Sequence, residues 1–113
     1  MAWFRRRKEP SRGVGRTADR ADFEHLAEFA RSRRGVEGFI EPKTTVTETT
    51  LLLVAHDGEW TRRRVPSPQA AHDFANKLGI PSYDAGVVGY PQRKRDYDAR
   101  QAILRKRELG QLD

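Results

Sequence analysis

The sequence predicts an α+β domain: a helix, a three-stranded antiparallel sheet and a second helix, with a basic N-terminal arm and a C-terminal basic helix. Apolar residues recur at helical spacing in two separate stretches, at Phe23, Leu26, Ala27 and Ala30 and again at Ala71, Phe74, Ala75 and Leu78. Between them lie runs rich in leucine and β-branched residues, joined by Asp57-Gly58, a strong short-range hairpin signal. The 113 residues suffice for one hydrophobic core and not for two.

Taken in order, residues 1–16 read as a flexible arm, with Pro10, Ser11, Gly13 and Gly15 and the run Arg5-Arg6-Arg7-Lys8. From Asp19 a helix is expected, capped by Thr17 or Asp19. Arg31, Arg33 and Arg34 suit its C-terminal dipole, and Gly35 ends it. Residues 36–41 form a first expected strand, broken by Pro42, followed by strands over residues 44–55 and 59–65. A two-residue turn at Asp57-Gly58 sets Ala55 opposite Trp60, Leu53 opposite Arg62 and Leu51 opposite Arg64. The other face then pairs Leu52 with Arg63 and Val54 with Thr61. Both faces mix apolar and charged residues, so the pattern leaves the inward face open. Ser67-Pro68 is an N-cap followed by proline at the first helical position, opening a helix whose apolar face runs to Leu78 before Gly79. Residues 80–91 read as an ordered loop or short strand, with Ile80, Tyr83, Val87, Val88 and Tyr90 over the core. Residues 92–109 form a helix with scattered apolar positions, Tyr97, Ile103 and Leu104, and a pattern this weak predicts one that projects or is ordered by a partner. The expected organisation is an arm (1–16), a core (17–91) and a basic helix or tail (92–113).

Composition narrows the function. Hydrophobic residues make up 36% and charged residues 34%, so part of the chain is expected outside the packed core. The longest apolar run, Leu51-Leu52-Leu53-Val54-Ala55, is far short of the roughly 20 residues a membrane-spanning helix needs. No apolar stretch follows the N-terminal arginines, so no secretory signal is read there and the expected location is the cytoplasm. With no cysteine, disulfides, thiolate catalysis and cysteine-ligated zinc or iron–sulfur clusters are excluded. Arginine supplies 17 of the 22 basic residues, a bias that fits a GC-rich genome as readily as selection for guanidinium chemistry.

The net charge of +6 is uneven. Residues 1–20 hold 7 basic and 2 acidic side chains, a net of +5; residues 21–91 hold 8 and 10, a net of −2; residues 92–113 hold 7 and 4, a net of +3. The core is mildly acidic, and the two ends are the surfaces expected to meet an anion.

No catalytic constellation is legible. His25, His56 and His72 have no pair at metal-ligand spacing and read as solvent-facing or structural. His56 beside Asp57 serves a turn, Ser67 is a helix cap, and Ser11, Ser32 and Ser82 lack a nucleophile's surroundings. Gly13-Val14-Gly15 and Gly86-Val87-Val88-Gly89 do not complete a phosphate-binding loop. Glu37, Glu41 and Glu48 are accounted for by a solvated strand face. The expectation is therefore a non-enzyme without cofactor or metal. The basic clusters carry the functional signal. Trp3 and Phe4 adjoin Arg5, Arg6, Arg7 and Lys8; Arg93, Lys94 and Arg95 lie between Tyr90 and Tyr97; Arg105, Lys106 and Arg107 follow. Charges for phosphates beside rings that stack on bases suit RNA or a ribonucleoprotein such as the ribosome. Trp3-Phe4 with four cations also suits an anionic membrane surface, at about 1 kcal/mol per cation. Residues 92–109 equally suit folding onto a protein partner, and solubilising termini are the bland alternative.

The order helix, three strands, helix over residues 19–79 resembles that of double-stranded-RNA-binding domains. In that family a basic cluster opens the second helix and grips phosphates. Here the corresponding stretch is Ser67-Pro68-Gln69-Ala70-Ala71-His72-Asp73, which holds no such cluster, so no binding residue is carried over. The chain is also similar to small actinobacterial proteins, some bearing a loose oxidoreductase label, for which its residues supply no redox site.

Overall fold

A computed structural model describes residues 20–110. Trp3, Phe4, Arg5, Arg6, Arg7 and Lys8, and the expected caps Thr17 and Asp19, lie outside the described residues. The element order is α1 (Arg20–Ser32), β1 (Glu37–Glu41), β2 (Thr50–Val54), β3 (Trp60–Arg64), α2 (Pro68–Leu78), β4 (Ser82–Asp84), α3 (Ala85–Val88) and α4 (Gln92–Glu108). The fold is α+β, as expected, but its sheet is four-stranded and mixed, in the order β3-β2-β1-β4. The expected three-stranded antiparallel sheet is corrected by β4, which runs parallel to β1. β4 falls within residues 80–91, read in the sequence as an ordered loop or short strand, and three residues are too few for periodicity to decide between the two. What makes them a strand is the open edge of β1, to which α2 delivers the chain after crossing the sheet.

The second helix begins and ends on its own sequence signals. Ser67 Oγ accepts from Ala70 N–H at 3.1 Å, and Pro68 occupies the first turn. At the other end Gly79 sits at φ +72°, with its N–H on Asn76 O and Ile80 N–H on Ala75 O, a Schellman closure.

The hairpin turn differs from expectation by one residue, and the difference reorders the sheet. Gly58 N–H donates to Ala55 O at 3.0 Å and Ala55 N–H to Glu59 O at 2.7 Å. Among the described residues only glycines have positive φ, Gly58 at +95°, so Asp57 does not adopt the positive φ of a two-residue type I′ turn. The loop is three residues long, a turn closed by a glycine bulge, with Asp57 Oδ1 capping Glu59 N–H at 3.0 Å. The expected pairs are corrected accordingly: Leu51 faces Arg63, Leu52 faces Arg62, Leu53 faces Thr61 and Val54 faces Trp60.

That register settles which side chains share a face. Leu51 and Leu53 join Leu26, Phe29, Ile40 and Ala71 in the larger core beneath α1 and α2. Leu52 and Val54 join Phe39 on the opposite face, where Trp60, Ala85 and Tyr90 pack over them. Leu51 to Val54 are all fully buried. A strand covered on both sides reads as a continuous apolar run. This is why neither face of the hairpin looked inward in the sequence: both are.

Candidate functional site

The second face of the sheet also carries Glu37 and Glu41 on β1 and Trp60, Arg62 and Arg64 on β3. Alternation along each strand places them there with Leu52 and Val54. Glu41 accepts from Arg62 Nε at 2.7 Å and Nη2 at 2.8 Å, from Thr50 Oγ1 at 2.7 Å, and from the Tyr90 hydroxyl. Burial raises the Glu41 pKa, but the hydrogen bonds from Arg62, Thr50 and Tyr90 outweigh it and hold the carboxyl below its ordinary value. The same carboxylate raises Arg62 above the ordinary guanidinium value, so this pair stays ionised.

Helix α4 is fastened across this face at the hairpin tip, almost wholly by polar contacts. Arg93 Nε donates to Ala55 O at 2.9 Å, and its Nη2 reaches Glu37 Oε1 at 2.7 Å. Asp98 accepts Trp60 Nε1 at 2.7 Å through one oxygen and Lys94 Nζ at 2.7 Å through the other. Burial raises the Asp98 pKa, and those two hydrogen bonds more than reverse the effect. Lys94 Nζ lies 4.6 Å from the centre of the Trp60 ring, and the Arg62 guanidinium carbon 5.1 Å from it. Arg100 Nη2 donates to Asp57 O at 3.0 Å. Gly58 lets the helix come this close, since a Cβ there would stand 2.0 Å from Arg93 O.

The residues singled out in the sequence therefore divide. Arg93 and Lys94 are engaged in internal ion pairs, Lys94 with only 13% of its side chain exposed. Arg95 bonds Gln92 and Tyr90 O at the start of its own helix. Tyr97 and Arg105 line a groove of about 410 Å³ together with Trp60, Asp98 and Gln101. Spaced at 97, 98, 101 and 105, the helical residues form one stripe of α4. Arg105, Lys106 and Arg107 are exposed on the outer end of the helix, with no ion pair or side-chain hydrogen bond among the described residues. Ile103, Leu104 and Leu109 are exposed beside them.

Three residues that the sequence placed only in the hairpin register belong to this region. Trp60, Arg62 and Arg64 alternate along β3, the edge strand, and Arg64 Nε is buried without a hydrogen-bond partner. The run Arg62-Arg63-Arg64 was visible in the sequence; its division between faces depended on the one-residue register. Arg63 points the other way and pairs with Asp22 at 3.7 Å.

His25 and His72 occupy structural positions, and His56 is exposed in the hairpin loop. His25 Nε2 lies 2.6 Å from Thr61 Oγ1, and His72 Nδ1 lies 2.6 Å from Ser82 Oγ, each joining a helix to a strand. Among the described residues no three histidine or carboxylate side chains converge as a metal site, and no helix is long and apolar enough to cross a membrane. Set against protein-family models, curated proteins and solved structures, the chain matches none of them.

Proposed function

We propose that this is a non-catalytic, cytoplasmic accessory protein that binds RNA or a ribonucleoprotein such as the ribosome, with the α+β core positioning its basic segments. The observation that carries the reading is the way α4 is held. Its first turns are pinned to the hairpin through Arg93, Asp98 and Arg100, and its far end presents Arg105, Lys106 and Arg107 without internal partners. Cations left unpaired on a projecting helix support phosphate contact, the sequence-independent part of nucleic-acid affinity. The N-terminal cluster Trp3, Phe4, Arg5, Arg6, Arg7 and Lys8 adds a second set of charges and rings.

Binding of the full chain to ribosomes and structured RNA across a salt series tests this. Changing Arg105, Lys106 and Arg107 together to glutamine should flatten the salt dependence by roughly three phosphate contacts. An unchanged slope would remove α4 from the reading, and absence of binding at low salt would end it. A second reading, a protein adaptor, draws on Ile103 and Leu104 exposed on the same projecting helix. It predicts that Ile103→Ser with Leu104→Ser abolishes partner capture while leaving RNA affinity intact. An anionic membrane surface is the remaining proposed partner, tested by flotation with phosphatidylserine vesicles.

A further inference from the structure

We infer that the groove between β3 and α4 seats one unpaired base of single-stranded RNA, with the Gln101 carboxamide reading the edge of that base. This assignment rests on the RNA reading above. The groove holds about 410 Å³ and has an indole and a phenol in its wall, Trp60 and Tyr97. Aromatic walls of this kind favour a flat, polarisable ring over an aliphatic side chain.

The polar groups of the groove divide into those already satisfied and those left open. Asp98 uses one oxygen on Trp60 Nε1 and the other on Lys94 Nζ, so its charge is balanced from within and does not repel an incoming nucleotide. The same bond fixes the indole in place, and Arg62 and Lys94 each lie over its ring. Gln101, half-buried in the same wall, has no hydrogen-bond partner among the described residues. A carboxamide offers both a donor and an acceptor, the combination that matches the edge of an adenine. Arg105, at the outer end of the stripe, is equally unpaired and lines the same groove, which makes it the cation assigned to the phosphate of a seated nucleotide. Lys106 and Arg107 carry positive charge onward along the helix.

A duplex keeps its bases stacked inside the helix with their edges paired, so a seat of this form favours a single strand with splayed bases. The recognition is not that of the double-stranded-RNA-binding element order. It places the contact on the opposite sheet face from α1 and α2, at a helix that follows β4.

Trp3 and Trp60 are the only tryptophans, so in a Trp3→Phe chain the emission reports Trp60 alone. Titrating this chain with oligoadenylate and with a blunt RNA duplex of equal length, while following anisotropy of the labelled RNA, separates stacking from phosphate contact. The expected result is saturable quenching of Trp60 by oligoadenylate, in step with binding, and none by the duplex. Gln101→Leu should then weaken oligoadenylate binding roughly 5- to 100-fold at an unchanged melting temperature. Oligoadenylate that binds without altering Trp60 emission, or a duplex that quenches equally, overturns the base seat and leaves the RNA reading standing. If neither RNA binds the parent chain, with Trp3 in place, at low salt, both readings are overturned.

Discussion

Replacing Gly58 by alanine probes the joint between the hairpin and α4. Two effects act at once. The residue sits at φ +95°, a region that costs an L-residue roughly 1–2 kcal/mol. The added Cβ would also meet Arg93 O at 2.0 Å, Arg93 C at 2.8 Å and Tyr97 Cβ at 2.9 Å. Real Cβ atoms keep at least 3.0 Å from such neighbours, so the helix must retreat by no less than 1.0 Å. Three hydrogen bonds span the same joint: Arg93 to Ala55 O, Arg100 to Asp57 O and Trp60 to Asp98. At roughly 0.5–1 kcal/mol each for part-exposed groups, losing them brings the total to about 3–5 kcal/mol. For a domain of this size that lowers the melting temperature by roughly 15–30 °C. Gly79→Ala is the matched control, because Gly79 sits at φ +72° with nothing within 4 Å of an added Cβ. It carries the conformational term alone and should melt roughly 5–15 °C below the parent. Circular dichroism of both variants gives the answer. If Gly58→Ala melts no lower than Gly79→Ala, α4 does not bear on the hairpin as described.

Two further predictions concern charge. Glu41→Gln should lower stability by roughly 1–2 kcal/mol at neutral pH, because a neutral amide cannot accept both Arg62 donors. The folded-state pKa of Glu41 lies below its ordinary 4.5, so its contribution is complete above that value and is lost as pH falls through the folded pKa. The gap between parent and variant melting temperatures should therefore close on acidification, and a gap constant from pH 7 to about pH 3 would refute the assignment. For His25, burial and then the nearby Arg63 charge hold the pKa below the ordinary 6.5, so its imidazole should titrate below its model-peptide midpoint by NMR. Arg63→Gln should move that midpoint upward, and a downward shift would contradict the placement of Arg63 beside α1.

Local chemistry made several features legible in the residues themselves. Ser67-Pro68 and Gly79 bound α2 because capping needs only a hydroxyl, a fixed φ and a residue tolerant of the left-handed region. The apolar spacing of Phe23, Leu26 and Ala30 marked α1, and Asp57-Gly58 marked a hairpin. None of these depends on a distant partner. The turn type did, in part: both a two-residue and a three-residue loop accept Asp-Gly, and the choice between them fell to the packing that buries Leu51 and Leu53 on one face and Leu52 and Val54 on the other.

What the sequence determined by itself was a small α+β chain with an acidic core and basic ends. Tertiary structure alone decided the rest. It paired Ser82–Asp84 with β1 because that strand offered an open edge, and it drew Arg93 into an ion pair because the fold brings Glu37 of β1 up to α4. It also gathered Trp60, Tyr97, Gln101 and Arg105 around one groove, although they are spread over 46 positions of chain. Charge and periodicity can be counted along a chain. Which cations remain free to meet a ligand is settled only when every carboxylate has found its partner in three dimensions.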